Sequence, residues 1–546
     1  MPASPPEPAK RRSLKIGAWV STTYFAEGFP YSLVNNLAEI LFKELGASLQ
    51  VIGLTSLFHL PWNLKFLWGP FVDGYESKRR WLLGCEVALV GLIALLAITT
   101  GLSTGTAAAL GLLAVGFLVL GLVSATHDIA IDGYYLEALD GADQSRWVGF
   151  RAAAYRLAML AVGGPLLWLC ATIGWTWGLS VATLAMGLLL VYHALLLPDI
   201  ERRKASWTKL VAPLASARGL VFVLVLVGLW ALEQFWALGS ASRFAITDFI
   251  AARPALVWLS AKLGGGAWAA VLLLLGLLLG LALLPRMRRR LRAKREAGGL
   301  SDYAANFVSF LDQPRIGVIL AFVILFRTGE SFLQKMRWPF LDDVIHLPLG
   351  HFGLINGTLG VVASFGATIL GGRLIARDGL RKWIWPFVLA QNVLNLLYLG
   401  LALLPWEWFP REVNLVAPLL DALGSTTHAG NVVEQARQGL SIDLQAALLG
   451  TVIVAEHLGA GLGTAVFMVY IMRTCDPAHK AGHMAIVTAL MSVSFTIAGV
   501  GSGFIADAIG YASYFGFTFV ATLPAMLLIP FVPYLDGRES APAPKA

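Results

Sequence analysis

Residues 65–99 read KFLWGPFVDGYESKRRWLLGCEVALVGLIALLAIT. The end of one apolar run meets Asp73-Gly74, then the basic triplet Lys78-Arg79-Arg80, then a second apolar run. A membrane-spanning helix needs about 20 mainly apolar residues, and basic residues at its ends mark the cytoplasmic side. The stretch therefore predicts two crossings joined by a short cytoplasmic turn. Composition extends that reading to the whole chain. Of 546 residues, 57% are hydrophobic and 14% charged, against about 45–50% and about 25% in soluble domains. A soluble enzyme is excluded. The net charge of +8 does not point to nucleic acid either, because Lys and Arg flank apolar runs rather than form a phosphate-tracking patch. The fold class expected is an all-α polytopic membrane protein. Cys85, Cys170 and Cys475 are scattered without paired spacing and read as small buried hydrophobes.

Outward from this hairpin, the length criterion gives spans at 17–42, 50–72, 81–99, 106–137, 150–172 and 178–197, then 219–239 and 266–285. A further set follows at 315–340, 350–376, 383–404, 446–472, 481–506 and 512–533. Basic clusters at 78–80, 202–204, 286–295 and 377–382 fall on one side if all fourteen cross once, whereas 100–105 and 173–177 carry no Lys or Arg. Both termini are thereby expected in the cytoplasm. The segment after basic Lys10, Arg11, Arg12 and Lys15 is too long and polar for a cleavable signal peptide. The loop 240–265 reads as an interfacial amphipathic helix, the loop 405–444 as a helical or disordered periplasmic segment, and the Pro/Ala-rich tail 536–546 as disordered.

The hairpin recurs. Gly371-Gly372-Arg373-Leu374-Ile375-Ala376-Arg377-Asp378-Gly379 is followed by Arg381-Lys382 and another apolar run. A carboxylate near a helix end and cations across a short turn can lock two helices, which marks Asp73, Lys78, Arg79, Arg80, Asp378 and Arg381 as gating candidates. The pattern resembles the loop signature of the major facilitator superfamily. That resemblance implies two six-helix halves with substrate between them. The expected organisation is a cytoplasmic N-terminus (1–14), an N-terminal bundle (15–197), an inserted helix pair with basic linkers (198–311), a C-terminal bundle (312–535) and the tail. Four further motifs are more specific. Lys65–Asp73, Phe25-Ala26-Glu27-Gly28-Phe29-Pro30, His127-Asp128-Ile129-Ala130-Ile131-Asp132-Gly133-Tyr134 and Tyr155-Arg156-Leu157-Ala158-Met159 resemble motifs of AmpG-type muropeptide permeases in order and spacing. The third is equally similar to the acetyl-CoA transporters of the same peptide/acetyl-CoA transporter family.

Ionisable side chains inside spans cost about 2.5–3.5 kcal/mol each on insertion scales, so each needs a reason. Thr23, Glu27, Tyr31 and Asn35 recur every four residues and form one polar stripe. It is read as a cavity wall or as a helix–helix hydrogen-bond seam. Asp128 and Asp132 share a face, and two close carboxylates cannot both stay ionised cheaply. They are proton-coupling candidates with Glu27, or else structural partners of Lys65 or Arg156. His127 is a candidate relay or a packing residue. Arg327, Glu330, Gln334 and Arg337 share one face of the ninth span and, with Lys65, Tyr31, Asn35, Arg156, Asn356, Gln391, Asn395 and Glu456, are the substrate-binding candidates. Gly459, Gly461 and Gly463 read as close-packing positions.

No Walker sequence, HExxH, Cys/His metal set or nucleophile elbow is present. No enzyme activity, cofactor or metal is expected. The resemblance implies a proton-coupled importer of anhydromuramyl disaccharides, with or without peptide, across the bacterial inner membrane. The expected partners are a small polar solute, protons and the lipid bilayer, and the expected state is a monomer. Transport of acetyl-CoA or another anion, and a non-transporting sensor or scaffold, are the alternatives.

Overall fold

The computed structural model describes residues 9–65, 68–102, 107–198, 286, 289–290, 293, 308–406, 444–476 and 480–536. Every regular element among them is helical. They fall into two compact units, one drawn from 1–41 and 58–262, the other from 42–57 and 263–546. Among the described residues, nine helical stretches are long and apolar enough to cross a membrane. The expected spans 219–239 and 266–285, the loop 240–265, most of 405–444 and most of the tail lie outside the described residues.

In the first unit, α1 (Ala9–Ser32) runs into a π-helical turn, Leu33–Leu37, and α2 (Ala38–Glu44) continues beyond it. Pro30 inside α1 has no N–H to give the preceding turn and so disturbs the ladder just upstream. The second predicted span is broken into α3 (Leu49–Leu54), which belongs to the second unit, a 3-10 turn (Thr55–His59), α4 (Leu60–Leu64) and α5 (Gly69–Gly74). Next come α6 (Lys78–Leu102), α7 (Ala107–Ala138) and α8 (Gly141–Ala161). A π turn containing Pro165 follows, then α9 (Leu167–Ile173) and α10 (Trp175–Leu196). Asp140 caps α8 by accepting the Asp143 N–H at 2.8 Å, the usual service of an Asp at this position. Trp19, Val20, Tyr24, Leu82, Ile131, Tyr134 and Trp147 form the apolar core joining α1, α6, α7 and α8. The outer face of α10 leaves Trp177, Val181, Leu184, Leu188 and Leu195 exposed. An apolar ridge of that length suits contact with lipid.

The second unit contains α11 (Ile316–Leu325), α12 (Thr328–Asp343), α13 (Leu349–Phe352), a π stretch Gly353–Gly360, α14 (Val361–Asp378), α15 (Leu380–Leu394), α16 (Leu396–Leu403), α17 (Leu444–Thr474), α18 (Lys480–Val520) and α19 (Leu523–Leu528). The ninth predicted span is not continuous. Its ladder breaks at Arg327, whose φ and ψ are −100° and 6°. Within α18 the chain turns at Gly510, φ 74°, a conformation open to glycine, and this separates the two spans expected at 481–506 and 512–533. Phe322, Phe326, Phe387, Phe467 and Tyr470 centre the core, with Phe326 and Phe467 stacked at 4.4 Å.

Close helix contact in this unit depends on glycine. A Cβ on Gly461 would stand 2.3 Å from the Ser364 carbonyl oxygen, and one on Gly459 2.6 Å from that of Ala390. Residues 42–57 also belong to this unit, and α3 packs on α18 where a Cβ on Gly503 would lie 1.8 Å from the Leu49 oxygen. Gly499 and Gly503 are four apart, the small-xxx-small spacing that lets membrane helices approach. Gly503→Ala is therefore expected to cost about 1–3 kcal/mol through forced backbone displacement, read as a lower unfolding midpoint in detergent. Gly372→Ala, which would meet nothing within 4 Å, is the control.

Candidate functional site

Each unit carries a constellation of charges inside its helices. In the first, α4 ends at Leu64 and places Lys65 at the break, where its Nζ lies 2.6 Å from Asp128 Oδ2 on α7. Irregular backbone at membrane depth is tolerated where protein or a polar cavity, not lipid, surrounds it. One turn further on, Asp132 Oδ1 accepts from Arg151 Nη2 at 2.9 Å and from the Tyr24 hydroxyl at 2.7 Å. The Arg151 guanidinium also lies over the Tyr24 ring, 4.5 Å from its centroid, a favourable cation–π placement. The two carboxylates thus share a helix face but take different cations. Glu27 completes the group from α1; its Oε2 is buried and accepts no hydrogen bond among the described residues.

Deeper along α1, Asn35 lies in the π turn. Its Nδ2 donates to the Tyr31 oxygen at 2.9 Å, and its Oδ1 accepts from His59 Nδ1 at 2.7 Å. The Tyr31 ring packs edge-on to His59 and Trp62 and tilts against Tyr155. This joins an amide to four aromatic faces. Arg156 is half-buried on α8, and Asp132 is held by Arg151 in its place.

In the second unit, Glu330 opens α12, where the helix N-terminus favours a negative charge. Its carboxylate accepts from Arg327 Nη2 at 2.6 Å, from Gln334 Nε2 at 2.8 Å and from Gln391 Nε2 at 3.2 Å. Two turns along, Arg337 is 4% exposed and Glu456 on α17 is 1% exposed; they pair at 2.8 Å. Arg337 also donates to Asn356 Oδ1 at 2.5 Å, and the Tyr398 ring lies 5.5 Å from its guanidinium carbon. His457 Nδ1 stands 2.9 Å from the same Glu456. Asn395 is buried. Asn356, like Asn35, sits within a π segment, the kind of local widening found at functional positions in helices.

No family model matches the chain. An anhydromuropeptide permease of Escherichia coli is 22% identical, over 92% of this chain and 77% of that protein. A putative transporter AmpG 4 of Rickettsia conorii is 19% identical, over 92% and 93% of the two chains. Among solved structures, a peptide transporter POT superposes over 96% of this chain and 95% of that one, with a TM-score of 0.61 and 14% identity. A D-xylose-proton symporter covers 96% and 99%, with a TM-score of 0.55 and 12% identity. The structural likenesses carry the fold, and both sequence relatives are transporters by name. Over most of its length the chain is similar to AmpG-type transporters, and its fold is that of these solved transporters.

The gating candidates of the chain end helices in two different ways. In the first copy, Lys78 Nζ donates to the Val72 oxygen of α5 at 2.9 Å. Arg79 donates to the Ala194 and Leu197 oxygens at the end of α10, and Arg80 pairs with Glu76 at 2.9 Å. Cations at helix C-termini meet the partial negative charge of the last carbonyls. The Asp73-Gly74 pair does not itself form the turn: both residues lie in α5, and the positive φ, 49°, falls on Glu76. The Asp73 side chain is outside those described. In the second copy the turn is at Gly379, φ 89°, and Asp378 binds Arg377, Lys382 and the Trp383 indole. Arg381 pairs with Asp536. Among the described residues, no group of three or more His, Cys, Asp or Glu is placed to hold a metal ion.

The sequence reading missed Tyr24, Tyr398 and the role of Arg151. Tyr24, seven residues before Tyr31 of the polar stripe, was a weak signal. Arg151, nineteen positions after Asp132, gave none, because nothing local to either residue shows that α7 and α8 bring them together.

Proposed function

We propose that this transporter imports peptidoglycan-derived anhydromuropeptides across the bacterial inner membrane, coupled to protons, with both termini cytoplasmic and the single chain as the working unit. The similarity, over 92% of this chain, to a protein named anhydromuropeptide permease supports the substrate class. The chemistry of the two constellations suits such a ligand. Lys65, Arg156, Arg327 and Arg337 supply cations for its carboxylates; Gln334, Asn356, Gln391 and Asn395 supply amides for its hydroxyls. Tyr31 and Asn35, beside Trp62 and Tyr155, offer aromatic faces for the sugar rings. Glu330 and Glu456 hold the arginines in place and can release them to a competing carboxylate. Glu27, Asp128 and Asp132 are the coupling carboxylates, since a proton on any of them replaces a cation that a buried carboxylate otherwise requires. Asp73, Lys78, Arg79, Arg80, Asp378 and Arg381 are assigned to gating.

The test is accumulation of labelled anhydromuramyl disaccharide and its peptide-bearing form in proteoliposomes carrying an inward proton gradient. Accumulation above the external concentration, abolished when the gradient is collapsed, is the expected result. Accumulation of acetyl-CoA alone would overturn the substrate, and absence of flux for both would favour a sensor.

A further inference from the structure

A second titratable group lies in the first unit, away from Lys65 and Asp128. Glu86 on α6, His127 on α7 and His193 on α10 are each 0% exposed. Glu86 Oε1 lies 2.5 Å from His193 Nδ1 and 3.5 Å from His127 Nε2. On the far side of the same imidazole, His193 Nε2 is 3.1 Å from the hydroxyl of Thr22 on α1. His127 precedes Asp128, so the two side chains leave α7 about 100° apart. Asp128 meets Lys65, and His127 meets Glu86.

Charge balance makes this group unusual. Among the described residues, no Lys or Arg lies within ion-pair distance of Glu86. The groups facing it are His127 from α7 and His193 from α10, with Thr22 from α1 beyond His193 and the buried thiol of Cys85 adjacent on α6. A carboxylate removed from water needs a cation or a proton. One proton on the imidazole supplies it, and the network accommodates that proton with no bond lost. With His193 neutral, Nδ1–H donates to Glu86 and Nε2 accepts the Thr22 hydroxyl hydrogen. With His193 protonated, Nε2–H donates to the Thr22 oxygen, whose own hydrogen turns to the Ala18 carbonyl at 3.0 Å. Meanwhile Glu86 Oε2 and both His127 nitrogens are buried with no hydrogen-bond partner among the described residues, which leaves them capacity to share or receive the proton.

We propose that Glu86, His193 and His127 form a proton-binding site on a different face of α7 from Asp128, whose occupancy is transmitted to α1 by the reversal of the Thr22–His193 hydrogen bond. Thr22 lies five residues before Glu27 on the same helix, so the site addresses the helix that carries a coupling carboxylate. One proton binds and one is released, and no other reactant is required. The link to substrate rests on the transporter reading; proton binding does not.

Two measurements on the full-length protein separate these points. The first is the infrared difference spectrum between about pH 5 and about pH 8, the range in which histidine changes charge. His193→Gln is expected to remove one imidazole contribution and Glu86→Gln to alter it; spectra identical to wild type would overturn the site. The second compares counterflow of labelled anhydromuropeptide, which needs no gradient, with gradient-driven accumulation. In Glu86→Gln counterflow persists while accumulation falls about tenfold, the factor equivalent to one pH unit of displaced protonation. Equal loss of both, or of neither, would overturn the coupling role. If Glu86→Gln does not fold, Thr22→Val removes the hydroxyl alone and is expected to shift the pH profile of accumulation; an unchanged profile counts against the proposal. Absence of counterflow in the wild type defeats the transporter reading and leaves the infrared result to decide the site.

Discussion

Arg337→Gln is expected to destabilise the protein by about 3–5 kcal/mol and to abolish uptake, because it leaves Glu456 buried without its cation. The pair is almost wholly excluded from solvent and in direct contact at 2.8 Å. The same substitution removes the donor to Asn356 and the cation beside Tyr398. Neutralising the partner relieves the penalty. Arg337→Gln with Glu456→Gln leaves two polar amides in place of one orphaned charge and is expected to recover most of the lost stability. Uptake is not recovered, since the cation proposed for the substrate carboxylate remains absent. Unfolding midpoints in detergent and uptake by the same preparations check both halves. A double variant as unstable as the single one would show that Arg337 acts through packing and not through its charge.

The second large effect is at Lys65 and Asp128. Asp128→Asn keeps the shape of the side chain and removes its titration, so gradient-driven accumulation and its pH dependence are expected to disappear while counterflow persists. Lys65→Met leaves Asp128 without its 2.6 Å partner. With the Lys65 side chain 37% exposed, the stability cost is expected near 2 kcal/mol, about half that of a fully buried pair. The exchange Lys65→Asp with Asp128→Lys distinguishes the roles. It restores the ion pair, and hence the stability, but moves the carboxylate from α7 to the end of α4, so coupling stays lost. Accumulation restored by the exchange would make the pair purely structural.

Much of this was legible without a structure. Long apolar runs separated by basic clusters specify crossings and their alternation, because lipid penalises each unpaired backbone group and each misplaced charge. The stripe Glu27–Tyr31–Asn35 and the pair Asp128–Asp132 were visible as helix-face periodicity, and both reach their constellation. Arg327, Glu330, Gln334 and Arg337 were visible in the same way, but one face did not mean one function. Glu330 draws three of its donors together, whereas Arg337 turns to α17 and Glu456. The break at Arg327 and the 3-10 turn before Lys65 were hidden, since an apolar run carries no local mark of where its ladder will be interrupted.

The opening hairpin 65–99 shows the division most plainly. Its sequence determined that the chain carries two apolar crossings joined by a short turn, and that Lys78, Arg79 and Arg80 sit at helix ends. Those outcomes follow from hydropathy and helix-terminus electrostatics, which act over a few residues. Its charged interior was settled only by packing. Lys65 meets Asp128, and Glu86 meets His193, across 63 and 107 residues. Which cation neutralises which carboxylate depends on how each helix is rotated against its neighbours, and no single helix carries that information.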